Sequence, residues 1–324
     1  MHAWLERLWY GDGRGGFVLA PLAALFALVV WARRTAFGRG WLASRHPGKP
    51  VVVVGNLTVG GSGKTPLVAW LASALSARGL SVGIVSRGHG GRAVGPVEVT
   101  EASDPAEVGD EPVLLKRRSG ARVVVARDRA AAAERLAPEV DLIIADDGLQ
   151  HYRLARDLEI LVIDGRRRYG NGRLLPAGPL REPLSRAADL RVVNGGTAQP
   201  DERAMTLVPR AIVELGSGAR IAPGQWRGRC VHAVAGIADP ARFFAALRSL
   251  GLAPIEHPLP DHARLTAGDV SFGDALPVLM TEKDAVKCRG FPPGGLAYLE
   301  VAAEFGAADA EAIVGRVLAL VPRR

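Results

Sequence analysis

The chain has 324 residues, 48% of them hydrophobic, which is enough for two domains of ordinary size or one large one. Its net charge of +8 comes mainly from arginine and favours an anionic partner, such as nucleic acid, phospholipid headgroups or a phosphorylated substrate, without choosing among them. The two cysteines, Cys230 and Cys288, lie far apart without metal-ligand neighbours, which excludes a disulfide framework and a sequence-encoded zinc site.

An uninterrupted apolar run, FVLAPLAALFALVVWA, covers residues 17–32 and is followed by Arg33 and Arg34. A signal peptide is disfavoured, because no small-x-small cleavage site follows and export would separate the nucleotide motif described next from ATP. A buried core helix remains open, since the run is shorter than the ~20 residues of a comfortable bilayer span. The basic flank favours a membrane-associated helix, spanning or interfacial, and we expect residues 1–45 to form this region.

The stretch VVVVGNLTVGGSGKT, residues 51–65, combines a β-branched strand, a glycine-rich turn and Lys-Thr at the start of a helical pattern. This order is typical of a phosphate-binding loop. In such a loop backbone N–H groups surround a phosphate, the lysine reaches the β- and γ-phosphates, and the threonine hydroxyl binds Mg²⁺. Thr58 departs from the usual pattern, which has glycine there. The residues expected to do this chemistry are Gly60, Gly61, Gly63, Lys64 and Thr65.

Short apolar strands then alternate with helical patterns, which predicts an α/β fold with a parallel sheet of the P-loop NTPase type. The predicted strands are 81–86, 122–126, 141–146, 157–165 and 191–196. The segment DLIIADDGLQH ends a strand in two carboxylates, so Asp146 or Asp147 is expected beside Mg²⁺, opposite the loop threonine. An irregular Pro-, Gly- and Arg-rich segment, residues 166–183, is expected to be functional or disordered, and a solvated basic face is the alternative for Arg166 to Arg168.

Secondary-structure signals weaken between residues 197 and 225, and a new strand and helix pattern starts with VHAVAGI at 231–237. We therefore expect a P-loop core at 46–200 and a second, smaller α/β domain at 201–324.

The ordered motifs GNLTVGGSGKTP, SRGHGG, GDEP, DDGLQH, LLPAGPLREP, VAGIADPARFF, PDH and TEKDAVK resemble those of the tetraacyldisaccharide 4′-kinases of lipid A biosynthesis. These enzymes transfer the γ-phosphate of ATP to the 4′-hydroxyl of a tetraacyldisaccharide 1-phosphate and produce lipid IVA. The resemblance implies an active site between the two domains, with ATP and Mg²⁺. It also implies an acylated disaccharide phosphate lipid as substrate, at the cytoplasmic face of the bacterial inner membrane, with neither nucleic acid nor an obligate protein partner.

The resemblance also implies roles for single residues. Asp110 is the expected base for the sugar hydroxyl, with His262 as its partner from the second domain. Asp147 and Glu182 are expected to serve the metal together with the loop threonine. The expected ATP-binding residues are Thr58, Val59, Gly60, Gly61, Ser62, Gly63, Lys64, Thr65, Gln150 and Arg181, with His151 helping to shape the site. Two positions depart from the family: His89 stands where an aromatic residue is common, and Ala263 follows PDH in place of histidine or an aromatic residue.

Residue chemistry alone leaves other interpretations open. Asp110 is also a suitable helix cap, and His262 an ordinary surface histidine. A membrane-associated regulatory ATPase shares the loop, although that class has lysine where this chain has Val59. A GTPase is not supported, because the lysine of TEKD lies one position too late for the guanine-reading motif. A non-enzymatic nucleotide sensor is the third alternative.

Overall fold

The computed structural model describes residues 2–11, 16–292 and 294–322, so Met1 and residues 12–15 of the predicted N-terminal region lie outside the described residues. The helices are α1 (His2–Tyr10), α2 (Ala20–Gly38), α3 (Lys64–Ser76), α4 (Pro105–Val108), α5 (Asp110–Ser119), α6 (Arg129–Leu136), α7 (Pro240–Ser249), α8 (Glu282–Ala285) and α9 (Ala307–Leu318). The strands are β1 (Val51–Gly55), β2 (Val82–Ser86), β3 (Val97–Val99), β4 (Arg122–Val125), β5 (Leu142–Asp146), β6 (Leu158–Asp164), β7 (Leu190–Asn194), β8 (Glu202–Glu214), β9 (Arg220–Ile221), β10 (Cys230–Ala235), β11 (Ala253–Pro258), β12 (Val278–Thr281) and β13 (Leu296–Phe305).

The described strands form one sheet in the order β11-β10-β12-β13-β8-β7-β6-β1-β5-β2-β4-β3, with β9 paired to β8. Neighbours from β7 to β4 are parallel, as predicted for a P-loop core. Strands β10 to β13 form a second parallel group, which joins the first through an antiparallel pairing of β13 with β8. The sheet is continuous across the predicted boundary at residue 200, and the division into two domains stays a prediction.

The continuous valine run of β1 is explained by helices on both faces of the sheet. Val52 and Val54 pack in the same core cluster as Leu67 of α3. Val51 and Val53 point to the other face and belong to a second cluster, which contains α6. Because successive strand side chains alternate between faces, a strand covered on both sides is apolar throughout.

Strand β8 contradicts the expectation of an irregular boundary between residues 197 and 225. It is the longest strand of the described chain, with thirteen residues. Pro209 obscures it in sequence, because proline lacks the N–H that a strand interior needs. The structure accommodates this proline at a bulge, where the register with β13 shifts between Glu300 and Val301.

The apolar run of the N-terminal region lies on α2, which a 3₁₀ turn at Gly16–Leu19 precedes. None of the residues of α2 is buried, so the interpretation as a buried core helix is wrong. Leu25 and Leu28, for example, are 60% and 57% exposed. The segment Gly16–Gly38 is long and apolar enough to cross a membrane, by length and composition.

Helix α1 packs on the irregular segment of residues 166–183. The indole Nε1 of Trp9 donates a hydrogen bond to the carbonyl of Pro176 at 2.9 Å, and the Asn171 side chain donates to the carbonyl of Leu8 at 3.1 Å. The irregular segment is therefore an ordered connection between the N-terminal helix and the P-loop core.

Candidate active site

The phosphate-binding loop connects β1 to α3, and α3 begins at Lys64. Gly60 and Gly63 have φ values of +106° and +91°, in the left-handed region that favours glycine. A Cβ atom on Gly63 would lie 2.4 Å from the amide nitrogen of Asn194. That amide donates to the carbonyl of Ser62 at 3.0 Å, so the end of β7 fixes the loop.

Thr58 and Val59 do not line the cavity beside this loop. Thr58 is buried and forms a β-bridge with Leu180, and the backbone N–H of Val59 donates to the carbonyl of Pro179 at 2.9 Å. Both residues anchor the loop to the irregular segment. The expectation that they contact ATP is therefore not supported by their position, and the loop accommodates Thr58 through this pairing.

A cavity of about 1360 Å³ lies between the P-loop core and the second half of the chain. This exceeds the 300–1,000 Å³ that is typical for one drug-sized ligand, so the cavity has room for two substrates. Most of the predicted site residues line it, and so do several that the sequence did not single out. The lining includes Gly60, Gly61, Ser62, Gly63, Lys64, Thr65, His89, Glu111, Asp146, Asp147, Gln150, His151, Arg181, Arg242, His262 and Lys283.

Asp147 is held by cations at the predicted nucleotide side of the cavity. Its carboxylate lies 3.5 Å from Lys64 Nζ and accepts from Arg181 at 3.1 and 3.3 Å. Burial alone would raise the pKa of Asp147, but Lys64, Arg181 and Arg129 outweigh it and lower the pKa to about 2. Asp147 is therefore ionised, and it orders the two cationic side chains that are suited to bind phosphates.

Asp146 lies beside it at the end of β5 and is 1% exposed. Neither of its carboxylate oxygens has a hydrogen-bond partner among the described residues. Burial, followed by Glu111 and Asp147, raises the pKa of Asp146 to about 7. Asp146 and Thr65 both line the cavity, and a buried carboxylate without a partner together with a threonine hydroxyl is a donor set that suits Mg²⁺, which prefers oxygen ligands.

Glu182 lies away from the candidate Mg²⁺ donors Asp146 and Thr65. It is 2% exposed and is not among the residues that line the cavity. Its carboxylate accepts hydrogen bonds from the Tyr152 hydroxyl and from Arg186 Nε. The position of Glu182 therefore does not support a role at the metal, because both of its oxygens already accept hydrogen bonds from other side chains, and that role stays a prediction.

Asp110 and His262 are brought together, as predicted. Asp110 begins α5, and its Oδ1 accepts from the backbone N–H of Glu111 at 2.9 Å. Its Oδ2 lies 3.2 Å from His262 Nδ1. Burial works against the Asp110 charge, but the His262 hydrogen bond and the charges of Lys283 and Lys287 outweigh it and lower the pKa. The hydrogen bond to Asp110 in turn raises the pKa of His262.

The two departures from the family pattern lie close to this pair. The His89 ring meets the His262 ring edge-on, with centroids 4.8 Å apart, so histidine supplies a ring contact at this position. The backbone N–H of Ala263 donates to the carbonyl of Pro260 at 3.0 Å, which closes the PDH turn. This turn places His262 at φ +58°.

Gln150 and His151 also line the cavity. The Gln150 amide donates to the carbonyl of Asn56 at 3.2 Å, which connects β1 to the turn after β5. Burial and the nearby Arg129 lower the pKa of His151 to about 4, so its ring is neutral near pH 7.

Comparison with known proteins identifies the family. The Tetraacyldisaccharide-1-P 4'-kinase family matches residues 16–319. The chain belongs to this family. The Tetraacyldisaccharide 4'-kinase of Alkalilimnicola ehrlichii is 53% identical over 289 residues, which cover 88% of this chain and 87% of the relative. That of Methylobacillus flagellatus is 46% identical over 326 residues, covering 99% and 97%.

A solved structure gives the same result for the fold. The chain resembles LpxK from Aquifex aeolicus, described as the "apo" form in complex with ATP, with a TM-score of 0.79 and 28% identity. The match covers 95% of this chain and 99% of that one. The predicted α/β fold with a P-loop core and the predicted kinase class are confirmed, and the ATPase, GTPase and sensor alternatives are set aside.

The sequence did not single out several residues of this kinase site. Lys283 and Lys287 belong to the TEKDAVK motif, which does not indicate a role for either lysine. Lys283 contacts His262, and Lys287 lies close to Asp110. Asn194 and Arg242 connect the phosphate-binding loop with α7, since Arg242 donates to the Asn194 side chain at 3.2 Å. Their positions at strand and helix ends are the only sequence signal that would have pointed to them.

Proposed function

We propose that this chain transfers the γ-phosphate of ATP to the 4′-hydroxyl of a tetraacyldisaccharide 1-phosphate. The observation that supports this best is one cavity with two different walls. One wall carries Lys64 and Thr65 of the phosphate-binding loop, and the other carries Glu111 and His262 beside the buried Asp110. Phosphoryl transfer needs this combination of a phosphate cradle and a positioned base near the acceptor.

The nucleotide side would hold ATP through the loop N–H groups and the positive end of α3, with Lys64 and Arg181 on the phosphates. Thr65 and the carboxylates Asp146 and Asp147 would hold Mg²⁺, which supplies charge neutralisation of the phosphates when bound. Arg181 is already oriented by its hydrogen bonds to Asp147, so it is ordered before a substrate enters.

On the acceptor side, we assign Asp110 as the base that takes the hydroxyl proton while the hydroxyl oxygen forms its bond to phosphorus. His262 donates its Nδ1–H to Asp110, which fixes the direction of the carboxylate. The backbone N–H of Glu111 holds the other carboxylate oxygen. A positioned base of this kind is worth roughly 10²–10⁴-fold in rate.

We further propose that α2 associates with the cytoplasmic face of the inner membrane, where the acyl chains of such a substrate lie. Its apolar side chains are exposed to solvent, and such a surface favours a lipid environment. Arg33, near the C-terminal end of the same helix, lines the active-site cavity. The membrane-associated helix is therefore continuous with the site that would receive the lipid headgroup.

The test uses the full chain in detergent micelles with Mg²⁺, γ-labelled ATP and a tetraacyldisaccharide 1-phosphate. Label is expected in the lipid fraction with the wild-type chain and with Lys116→Ala, and not with Lys64→Ala. Lys116 is a suitable control because, among the residues that the structure describes, its ammonium contacts the carbonyls of Gly120 and Ala121 at the end of α5 and does not line the cavity. Equal labelling by Lys64→Ala and wild type would contradict the assignment of the phosphate-binding loop.

A further inference from the structure

Two lysines flank the Asp110–His262 pair, one at each end. Lys283 Nζ lies 3.2 Å from His262 Nε2, and Lys287 Nζ lies 3.7 Å from Asp110 Oδ2. The lysines are four residues apart, so α8 and the 3₁₀ turn after it present both on one side. The four side chains therefore form a row, in the order lysine, histidine, aspartate, lysine.

Lys283 is held in place by carboxylates from two other elements. Its Nζ lies 3.2 Å from Glu111 at the start of α5 and 3.3 Å from Asp261 in the PDH turn. Burial works against the ammonium, but Glu111, Asp110 and Asp261 outweigh it and raise the pKa of Lys283. The side chain is thus a permanent cation, and an ammonium is a hydrogen-bond donor only.

The charge of His262 is therefore under two opposing influences. The Asp110 carboxylate at Nδ1 and the Asp261 carboxylate, 3.9 Å from Nε2, favour the imidazolium. The Lys283 ammonium at Nε2 disfavours it, since a protonated Nε2 would point a hydrogen at a donor. Among the described residues, the cluster also includes the ring edge of His89, the ammonium of Lys287 through Asp110, and the carboxylate of Glu111 through Lys283.

We propose that Lys283 is a positioning residue: its ammonium at Nε2 opposes protonation of His262 at that nitrogen and keeps the ring hydrogen on Nδ1, toward Asp110. A neutral imidazole orients Asp110 through a hydrogen bond. An imidazolium would instead form an ion pair with Asp110 and make that carboxylate a weaker base. The consequence for catalysis rests on the proposed role of Asp110, whereas the effect of Lys283 on His262 does not.

Lys287 has different contacts from Lys283, and these contacts distinguish the roles of the two lysines. It pairs with the buried Asp284 at 2.9 Å, and Asp284 in turn accepts from the backbone N–H of Gly236 and from the Thr281 hydroxyl. Lys287 therefore belongs to a structural network behind the site. Lys283 lines the cavity, and its Nζ contacts the imidazole directly.

The test measures the pKa of His262 directly in the full chain. The chain is labelled with ¹³C-histidine in detergent micelles, and the His262 signal among the seven histidines is assigned by its loss in His262→Gln. In Lys283→Met we expect the His262 pKa to rise by roughly one unit or more, because the opposing charge is gone and the carboxylates remain. Lys283→Arg keeps the charge and should retain the wild-type value, as should Lys116→Met.

Lys283→Gln serves as a second uncharged variant, since it keeps a donor and is useful where Lys283→Met does not fold. It should raise the His262 pKa in the same direction. An unchanged or lowered His262 pKa in the folded uncharged variants would overturn the inference.

A kinetic measurement then separates this inference from the proposed function. If Asp110 is the base, the acidic limb of the kcat profile should move to higher pH in Lys283→Met and return in Lys283→Arg, with the KM for ATP unchanged. A raised His262 pKa with an unmoved acidic limb would support the role of Lys283 and contradict the assignment of Asp110.

Discussion

Replacing Glu182 by alanine should destabilise the fold and leave the metal requirement unchanged. Glu182 accepts from Arg186, which is 7% exposed and also pairs with Glu159 at 2.7 Å. The substitution leaves this buried guanidinium with one carboxylate in place of two and removes the partner of Tyr152. Losing one partner of a buried pair costs about 3 kcal/mol, which for a chain of 324 residues lowers the Tm by roughly 4–5 °C.

The assay is thermal unfolding of the variant in detergent micelles, followed by the Mg²⁺ concentration that gives half-maximal transfer. Glu107→Ala is the matched control, because the Arg92–Glu107 pair is exposed, with side chains 65% and 50% accessible. Exposed pairs contribute about 0–1 kcal/mol, so this control should unfold close to the wild type. A Glu182→Ala chain with wild-type Tm and a several-fold higher Mg²⁺ requirement would refute the reasoning and restore Glu182 as a metal residue.

Three further outcomes are expected. Asp110→Asn should lower kcat by roughly 10²–10⁴-fold with little change in the KM for ATP, and steady-state kinetics showing only a raised KM would contradict this. In the metal-free protein, burial and neighbouring carboxylates raise the Asp146 pKa to about 7, so this carboxyl lowers the stability of the fold progressively as the pH rises from about 4 to 7, and the loss is constant above pH 7. The Tm of Asp146→Asn should therefore exceed that of the wild type by more at about pH 7.5 than at about pH 5, and an equal difference would argue against the shift. Leu25→Glu with Leu28→Glu should reduce co-sedimentation with phospholipid vesicles at unchanged Tm, because both side chains are exposed; undiminished sedimentation would exclude α2 as the contact.

The phosphate-binding loop was predictable because its function requires a local pattern. Lys64 and Thr65 act from the first turn of a helix that directly follows a strand, so sequence order alone places them. The parallel core was predictable for a related reason, since strands covered on both faces are continuously apolar. Strand β8 was missed because the structure uses Pro209 at a bulge, an arrangement that depends on the distant partner strand β13.

The site beyond the loop depends on contacts between distant segments. Arg181 and Glu182 are adjacent in sequence, yet Arg181 reaches Asp147 and Glu182 turns to a buried cluster, and only the packing of the irregular segment decides this. For the same reason, the sequence could not decide which of Asp146 and Asp147 lies beside Mg²⁺. Asp147 adopts φ +48° and meets the cations, while Asp146 stays at the strand end without a partner.

The most direct test of the central claim is ATP consumption by the purified chain with and without a tetraacyldisaccharide 1-phosphate. Because the phosphate cradle and His262, the partner of the buried Asp110, lie on two walls of one cavity, we expect ADP release that requires the acceptor and matches the lipid phosphorylated one to one. ADP release at the same rate without the acceptor would contradict the claim. It would indicate that the cavity hydrolyses ATP and that Asp110 and His262 serve another purpose.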